Sequence, residues 1–107
     1  MARYDVYPHP DKALRKITPY LLDVQNNYIE AVATRMVIPM RDRREVDKPL
    51  RDLNPIFEIE GKSVLLDTTA IGAFPAALLK TPVARLVSQA AVITSAQIGR
   101  ASCRERV

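Results

Sequence analysis

The chain has 107 residues, 48% hydrophobic and 26% charged, which is enough for one buried core and too apolar for a disordered chain. Its formal net charge of +4 is too small to imply a nucleic-acid partner, and half of it sits in residues 98–107, where Arg100, Arg104 and Arg106 face only Glu105. No apolar run opens the chain at Met1-Ala2-Arg3-Tyr4-Asp5-Val6 and none further along reaches a membrane-spanning length, so the expected location is the cytoplasm.

Tyr4-Asp5-Val6-Tyr7 alternates and carries aromatic and β-branched residues, which predicts a first strand stopped by Pro8 and Pro10. A charged loop over 11–16 follows. Tyr20 to Gln25 reads as a second strand entered through Pro19, and its neighbours Leu21, Leu22 and Val24 imply burial on more than one side. Asn26-Asn27 supplies turn chemistry. Arg35 to Met40 is the third strand, closed by Pro39, and the charge-dense segment 41–51 reads as a solvated loop. Ile56 to Glu60, then Gly61-Lys62, then Ser63 to Asp67 predicts a β-hairpin. Ile56 and Ile59 differ in parity, which suggests a bulge or two-sided burial. Residues 68–79 read as an irregular extended piece. Thr81-Pro82 is suited to open a helical turn, with Ser88 as a second candidate cap, and Leu86, Ala90, Ile93 and position 97 fall on one helix face. Short strands followed by one helix predict a small, strongly curved antiparallel sheet or barrel.

The last ten residues stand apart. Ile98-Gly99-Arg100-Ala101-Ser102-Cys103-Arg104-Glu105-Arg106-Val107 resembles the translation of a sequencing adapter, read in codons as ATC GGA AGA GCG TCG TGT AGG GAA AGA GTG. The expected organisation is therefore a single domain over 1–97 and a foreign tail over 98–107 that replaces the natural end. The alternative is a natural basic tail, solvated and mobile. The only cysteine, Cys103, belongs to that run, so the rest has no thiol and no disulfide.

Little in the chain suggests catalysis. Three glycines make no phosphate-cradling loop. His9, between two prolines, is expected to be an exposed loop residue and not a base or metal ligand. No Ser-His or Cys-His nucleophile pair can be assembled. Asp23 and Asp67 at strand ends read as turn or ladder-end acceptors and not as a general acid/base pair. The expectation is no enzyme, no cofactor and no metal. In segment 41–51, Asp42, Glu45 and Asp47 interleave with the arginines and no aromatic is present, so a docking surface for an acidic protein is favoured over a nucleic-acid patch.

Four stretches resemble the CcdB family of toxin–antitoxin modules. These are Tyr4-Asp5-Val6-Tyr7, Leu22-Asp23-Val24-Gln25-Asn26, Arg35-Met36-Val37-Ile38-Pro39-Met40 and Leu53-Asn54-Pro55-Ile56-Phe57-Glu58-Ile59, followed by Leu66-Asp67-Thr68-Thr69-Ala70-Ile71 and Pro82-Val83-Ala84-Arg85-Leu86. Their order and spacing agree over residues 3 to about 96. The resemblance implies a mostly β fold with a C-terminal α-helix, a small SH3-like barrel of the CcdB/PemK type, paired as a homodimer. It implies a toxin that binds the A subunit of DNA gyrase and traps its cleaved complex with DNA. It also implies a CcdA-type antitoxin with an acidic, flexible C-terminal segment, and joint repression of the operon in which the antitoxin makes most DNA contacts.

Carried over by position, Asn26, Tyr28 and Ile29 are the implied gyrase-binding residues; the alternative for Tyr28 and Ile29 is a place in the core. Arg41, Arg43 and Arg44 in the charged segment are the expected antitoxin-binding residues. The family's helix ending, a large residue followed by glycine and an apolar residue, is replaced here after Ser95-Ala96. The chain as it stands is expected to fold without killing. The competing functions are an RNA-cleaving toxin on a similar barrel, a solitary DNA-binding module and a non-toxic truncated binding module.

Overall fold

Alternation of apolar and polar residues sets the strands, and their pairing can be followed across one antiparallel sheet. A computed structural model describes residues 3–25, 33–45 and 54–105, with side chains as far as Ile98. The strands are β1 (Asp5–Pro8), β2 (Tyr20–Asp23), β3 (Thr34–Asp42), β4 (Ile56–Ile59), β5 (Lys62–Leu66), β6 (Gly72–Pro75) and β7 (Ala84–Arg85), followed by helix α1 (Ala90–Glu105). They run in the order β4-β5-β3-β2-β1-β7, with β6 also on β3. The sheet curls into a nearly closed barrel.

Even-numbered positions of β1 to β3 point inward. Val6, Leu22, Ile38 and Met40 meet Phe57 and Ile59 of β4, Val64 and Leu66 of β5, and Ile93 of α1 in one core. The opposite parity packs a second, smaller cluster of Tyr7, Leu21, Val37 and Leu79, with Phe74 against it. β2 is therefore buried on both faces, as its unbroken apolar run implied. On β4 the pattern is plain alternation, with Phe57 and Ile59 buried and Ile56 50% exposed. No bulge is needed there, because Ile56 simply faces out.

β1 ends at Pro8 as expected, but Pro39 does not close β3, which runs on to Asp42. Pro39 pairs with Leu21 in mid-β3 and its carbonyl accepts the Asp67 N–H at 3.0 Å. Its nitrogen faces that same edge, between the end of β6 pairing at Val37 and the start of β5 pairing at Met40. The missing donor falls where no strand partner requires it. Pro8 likewise pairs with Tyr20 beyond the reach of β7, which pairs only with Asp5 and Val6.

The hairpin turn lies one residue earlier than expected. Ile59 pairs with Lys62, leaving Glu60 (φ +52°) and Gly61 (φ +81°) as a two-residue turn with both central φ values positive. Glu60 holds that unfavourable conformation while accepting the Tyr20 hydroxyl at 2.6 Å. Burial, then Glu60, pushes the Tyr20 phenol up to about 12.

Three further expectations are corrected. Thr81-Pro82 opens no helix; the chain there is extended into β7, whose pairing with β1 is anchored by Leu86 N–H to Tyr4 O at 2.8 Å. Leu86 is buried as foreseen but precedes α1, which a single 3-10 turn over Val87–Gln89 leads into. Position 97, expected on the buried face, is only half-buried; the last buried side chain among the described residues is Ala96, and Ile98 is 61% exposed on a helix that continues to Glu105.

His9 is also not an exposed loop residue. It is 8% exposed, with its ring edge-on to Phe74 at 5.9 Å between centroids and its Nδ1 accepting the Asp11 N–H at 3.0 Å. Burial holds its pKa below the usual histidine value, aided by Arg15 and opposed by Asp11. The fold therefore favours neutral His9. That contribution is complete above the unfolded value of about 6.5 and is lost as pH falls through the lower folded value. Replacing His9 with glutamine is expected to flatten the decline in unfolding free energy just below pH 6.5, measured by urea titration at several pH values; an unchanged slope would refute it.

Candidate partner-binding site

The densest exposed charge gathers where three segments meet. The 3-10 turn Leu14–Lys16 is tied to the end of β3 by Asp42 N–H donating to Ile17 O at 2.8 Å. β3 runs on into a second such turn, Arg43–Glu45, and β5 lies alongside, with Asp42 opposite Val64. One shallow depression is lined by Arg15, Lys16, Asp42, Arg44, Glu45 and Lys62. An adjoining one is lined by Asp42, Arg43, Arg44, Gly61, Lys62 and Ser63. Together they present five cationic side chains against two acidic ones.

Asp42 organises this surface. Its carboxylate accepts the Arg44 backbone N–H at 3.0 Å and the Arg44 guanidinium at 2.9 Å, and those bonds hold its pKa below the usual carboxylate range. Arg44 itself is almost fully exposed. The segment read as a solvated loop from Arg41 thus begins as strand: Arg41 and Asp42 belong to β3 and Asp42 is buried. Residues 46–51 of it lie outside the described residues.

The three predicted arginines are not equivalent. Arg43 and Arg44 line the depressions. Arg41 does not, since its guanidinium donates to Asp67 at 2.7 Å and approaches the Thr18 hydroxyl at 3.4 Å. Burial raises the Asp67 pKa, but the Thr69 hydroxyl and Arg41 outweigh it and the net direction is down. Sequence reasoning missed Arg15, Lys16 and Lys62, because their neighbourhood depends on register. The expected gyrase-binding residues Asn26, Tyr28 and Ile29 lie outside the described residues.

The stem of the 26–32 segment is described. Asp23, at the end of β2, is fully buried and bonded by Arg35 in a two-pronged pair, Nε to Oδ2 at 2.8 Å and an Nη to Oδ1 at 3.0 Å. This confirms Asp23 as a structural acceptor at a strand end, with a buried guanidinium that spacing alone did not reveal. Tyr7 lies on the same face; burial, Asp5 and Asp23 push its phenol up to about 12. Among the described residues no cluster of histidine, cysteine and carboxylate is arranged to hold a metal, and no helix is long and apolar enough to cross a membrane.

A search among characterised proteins returned no match. The family model described as CcdB protein matches residues 3–97, which takes in β1 to β7 and the first half of α1. That family comprises toxins of toxin–antitoxin systems, directed at gyrase and not themselves enzymes in general. A near-closed antiparallel barrel with a C-terminal helix, matched from its first strand to its last buried turn, shows that the chain belongs to the CcdB family.

Proposed function

We propose that this domain is the toxin of a two-component module, acting in the cytoplasm by binding the A subunit of DNA gyrase and trapping the cleaved gyrase–DNA complex. Asn26, Tyr28 and Ile29 are its gyrase-facing residues. The observation that carries this reading is the family match over residues 3–97. The test is a purified supercoiling and cleavage assay. Accumulation of linear DNA that needs gyrase supports the reading; cleavage of added RNA without gyrase would favour the RNA-cleaving alternative.

The domain is read as a two-fold homodimer, because a core this small gains from sharing an apolar face. Exposed Val87 and Val92, just before and on α1, supply apolar surface for it. With its antitoxin the toxin represses its own operon. Residues 98–107 are read as foreign to the domain, and the family match stops at the residue before them.

A cognate antitoxin's acidic segment is drawn to Arg43 and Arg44, with Arg15, Lys16 and Lys62 beside them. Arg41 has the smaller share because Asp67 already holds it. Changing Arg43 and Arg44 together to glutamate is expected to slow association with an acidic antitoxin about tenfold at low ionic strength, with the difference shrinking at high salt. Folding should be little affected, since Arg44 is almost fully exposed and exposed ion pairs are weak. Stopped-flow association rates at two salt concentrations decide it, and an unchanged low-salt rate would count against the site.

A further inference from the structure

We propose that the buried Asp23–Arg35 pair, together with Gln25, is a clamp that positions the connection between β2 and β3 for its partner. The inference rests on the gyrase reading of that connection.

The placement of the pair is the first argument. Asp23 and Arg35 are 0% and 3% exposed on a sheet face otherwise packed with Tyr7, Leu21, Val37 and Leu79. A buried ion pair in apolar surroundings adds little net stability, because desolvation offsets the attraction, and apolar replacements of like volume are often as stable. The well-attested use of such pairs is to fix one arrangement among several.

The second argument is what the pair holds. Asp23 faces Val37 across the ladder, so Arg35 reaches back diagonally from two residues nearer the connection. Asp23 Oδ1 also accepts the Gln25 N–H at 2.9 Å. Val24 N–H then donates to Met36 O at 2.9 Å, and Gln25 Oε1 takes the Met36 N–H at 3.1 Å. The Gln25 side chain thus stands in for a backbone carbonyl and extends the ladder past the end of β2. Departure at Gln25 and return at Arg35 are fixed by one set of bonds. Asn26, the first implied gyrase residue, follows directly.

Asp23, Gln25 and Arg35 are accordingly positioning residues. The double variant Asp23→Leu/Arg35→Met is expected to unfold within a few degrees of the original chain and to bind a gyrase A fragment about tenfold more weakly, through lost preorganisation. Its affinity for an acidic antitoxin peptide should be unchanged. Gln25→Met, which keeps volume and loses only the acceptor for Met36, should weaken gyrase binding in the same direction and speed exchange of the Met36 amide. A folded double variant with undiminished gyrase affinity overturns the clamp, as does an equal loss for both partners. Should the double variant fail to fold, Gln25→Met decides by the same two affinities. If neither the original chain nor one whose residues 98–107 are replaced by a family-type helix end binds gyrase, the functional reading fails, and the clamp then stands or falls on whether the Met36 amide exchanges faster in Gln25→Met.

Discussion

Replacing Arg35 with alanine is expected to destabilise the fold by about 3–5 kcal/mol, a large fraction of what a domain of this size has to lose. Truncation leaves the fully buried Asp23 carboxylate without its counter-ion and opens a void beside it. Arg85 is already paired with Asp5 at 3.0 Å and is mostly exposed at the sheet edge. The measurement is urea unfolding monitored by tyrosine fluorescence and circular dichroism. A loss below about 1 kcal/mol would mean that water or another residue reaches Asp23. Removing both charges is a different experiment, because the loss from Arg35→Ala measures an orphaned charge and not the net worth of the pair.

Ile93→Ala is the second large effect, at about 2–5 kcal/mol. Ile93 is fully buried in the main core, whereas the other inward positions among the described side chains of α1, Ala90 and Ala96, offer only methyl groups. Among the described residues, Ile93 is therefore the main side chain attaching the helix to the barrel. The loss should be partly local, with the helical signal in circular dichroism falling before the sheet melts. Thr94, on the exposed side of the same helix, is the control: Thr94→Ala should stay within about 0.5 kcal/mol of the original. Equal losses at both positions would show that the helix is held by something other than Ile93.

What the sequence revealed, and what it hid, divides along physical lines. Local period exposed the strands from Tyr4 to Met40, the β4–β5 hairpin and a C-terminal helix buried at Ile93, because those patterns follow from which face meets the core. Proline misled at position 39, while at position 8 the strand does end. Its cost depends on which edge the missing donor faces, and pairing alone decides that. His9 misled because flanking prolines imply exposure, whereas Phe74, far along the chain, covers its ring. At the candidate site, Arg43 and Arg44 were visible as a charge run. Arg15 and Lys62 join them only through the Asp42–Ile17 hydrogen bond and the register of β5. Arg41 was indistinguishable from its neighbours until Asp67 was placed beside it.

The exchange of partners along β3 has a kinetic consequence. This nine-residue strand bonds β2 over Val37–Met40, β6 over Thr34–Val37 and β5 over Met40–Asp42, and β5 and β6 lie more than twenty residues downstream. The β4–β5 hairpin closes through a two-residue turn, and the β1–β2 and β2–β3 ladders join consecutive strands. Pairing of β5 and β6 with β3, and of β7 with β1, waits for a longer loop to bring a distant strand into place, and the chain loses the entropy of that closure before the pairing repays it. Folding is therefore expected in the slow range of small β-barrels, milliseconds to seconds. The rate-limiting ensemble should have β3 docked between β2 and β5, so that trimming Ile38 to valine retards refolding more than it hastens unfolding.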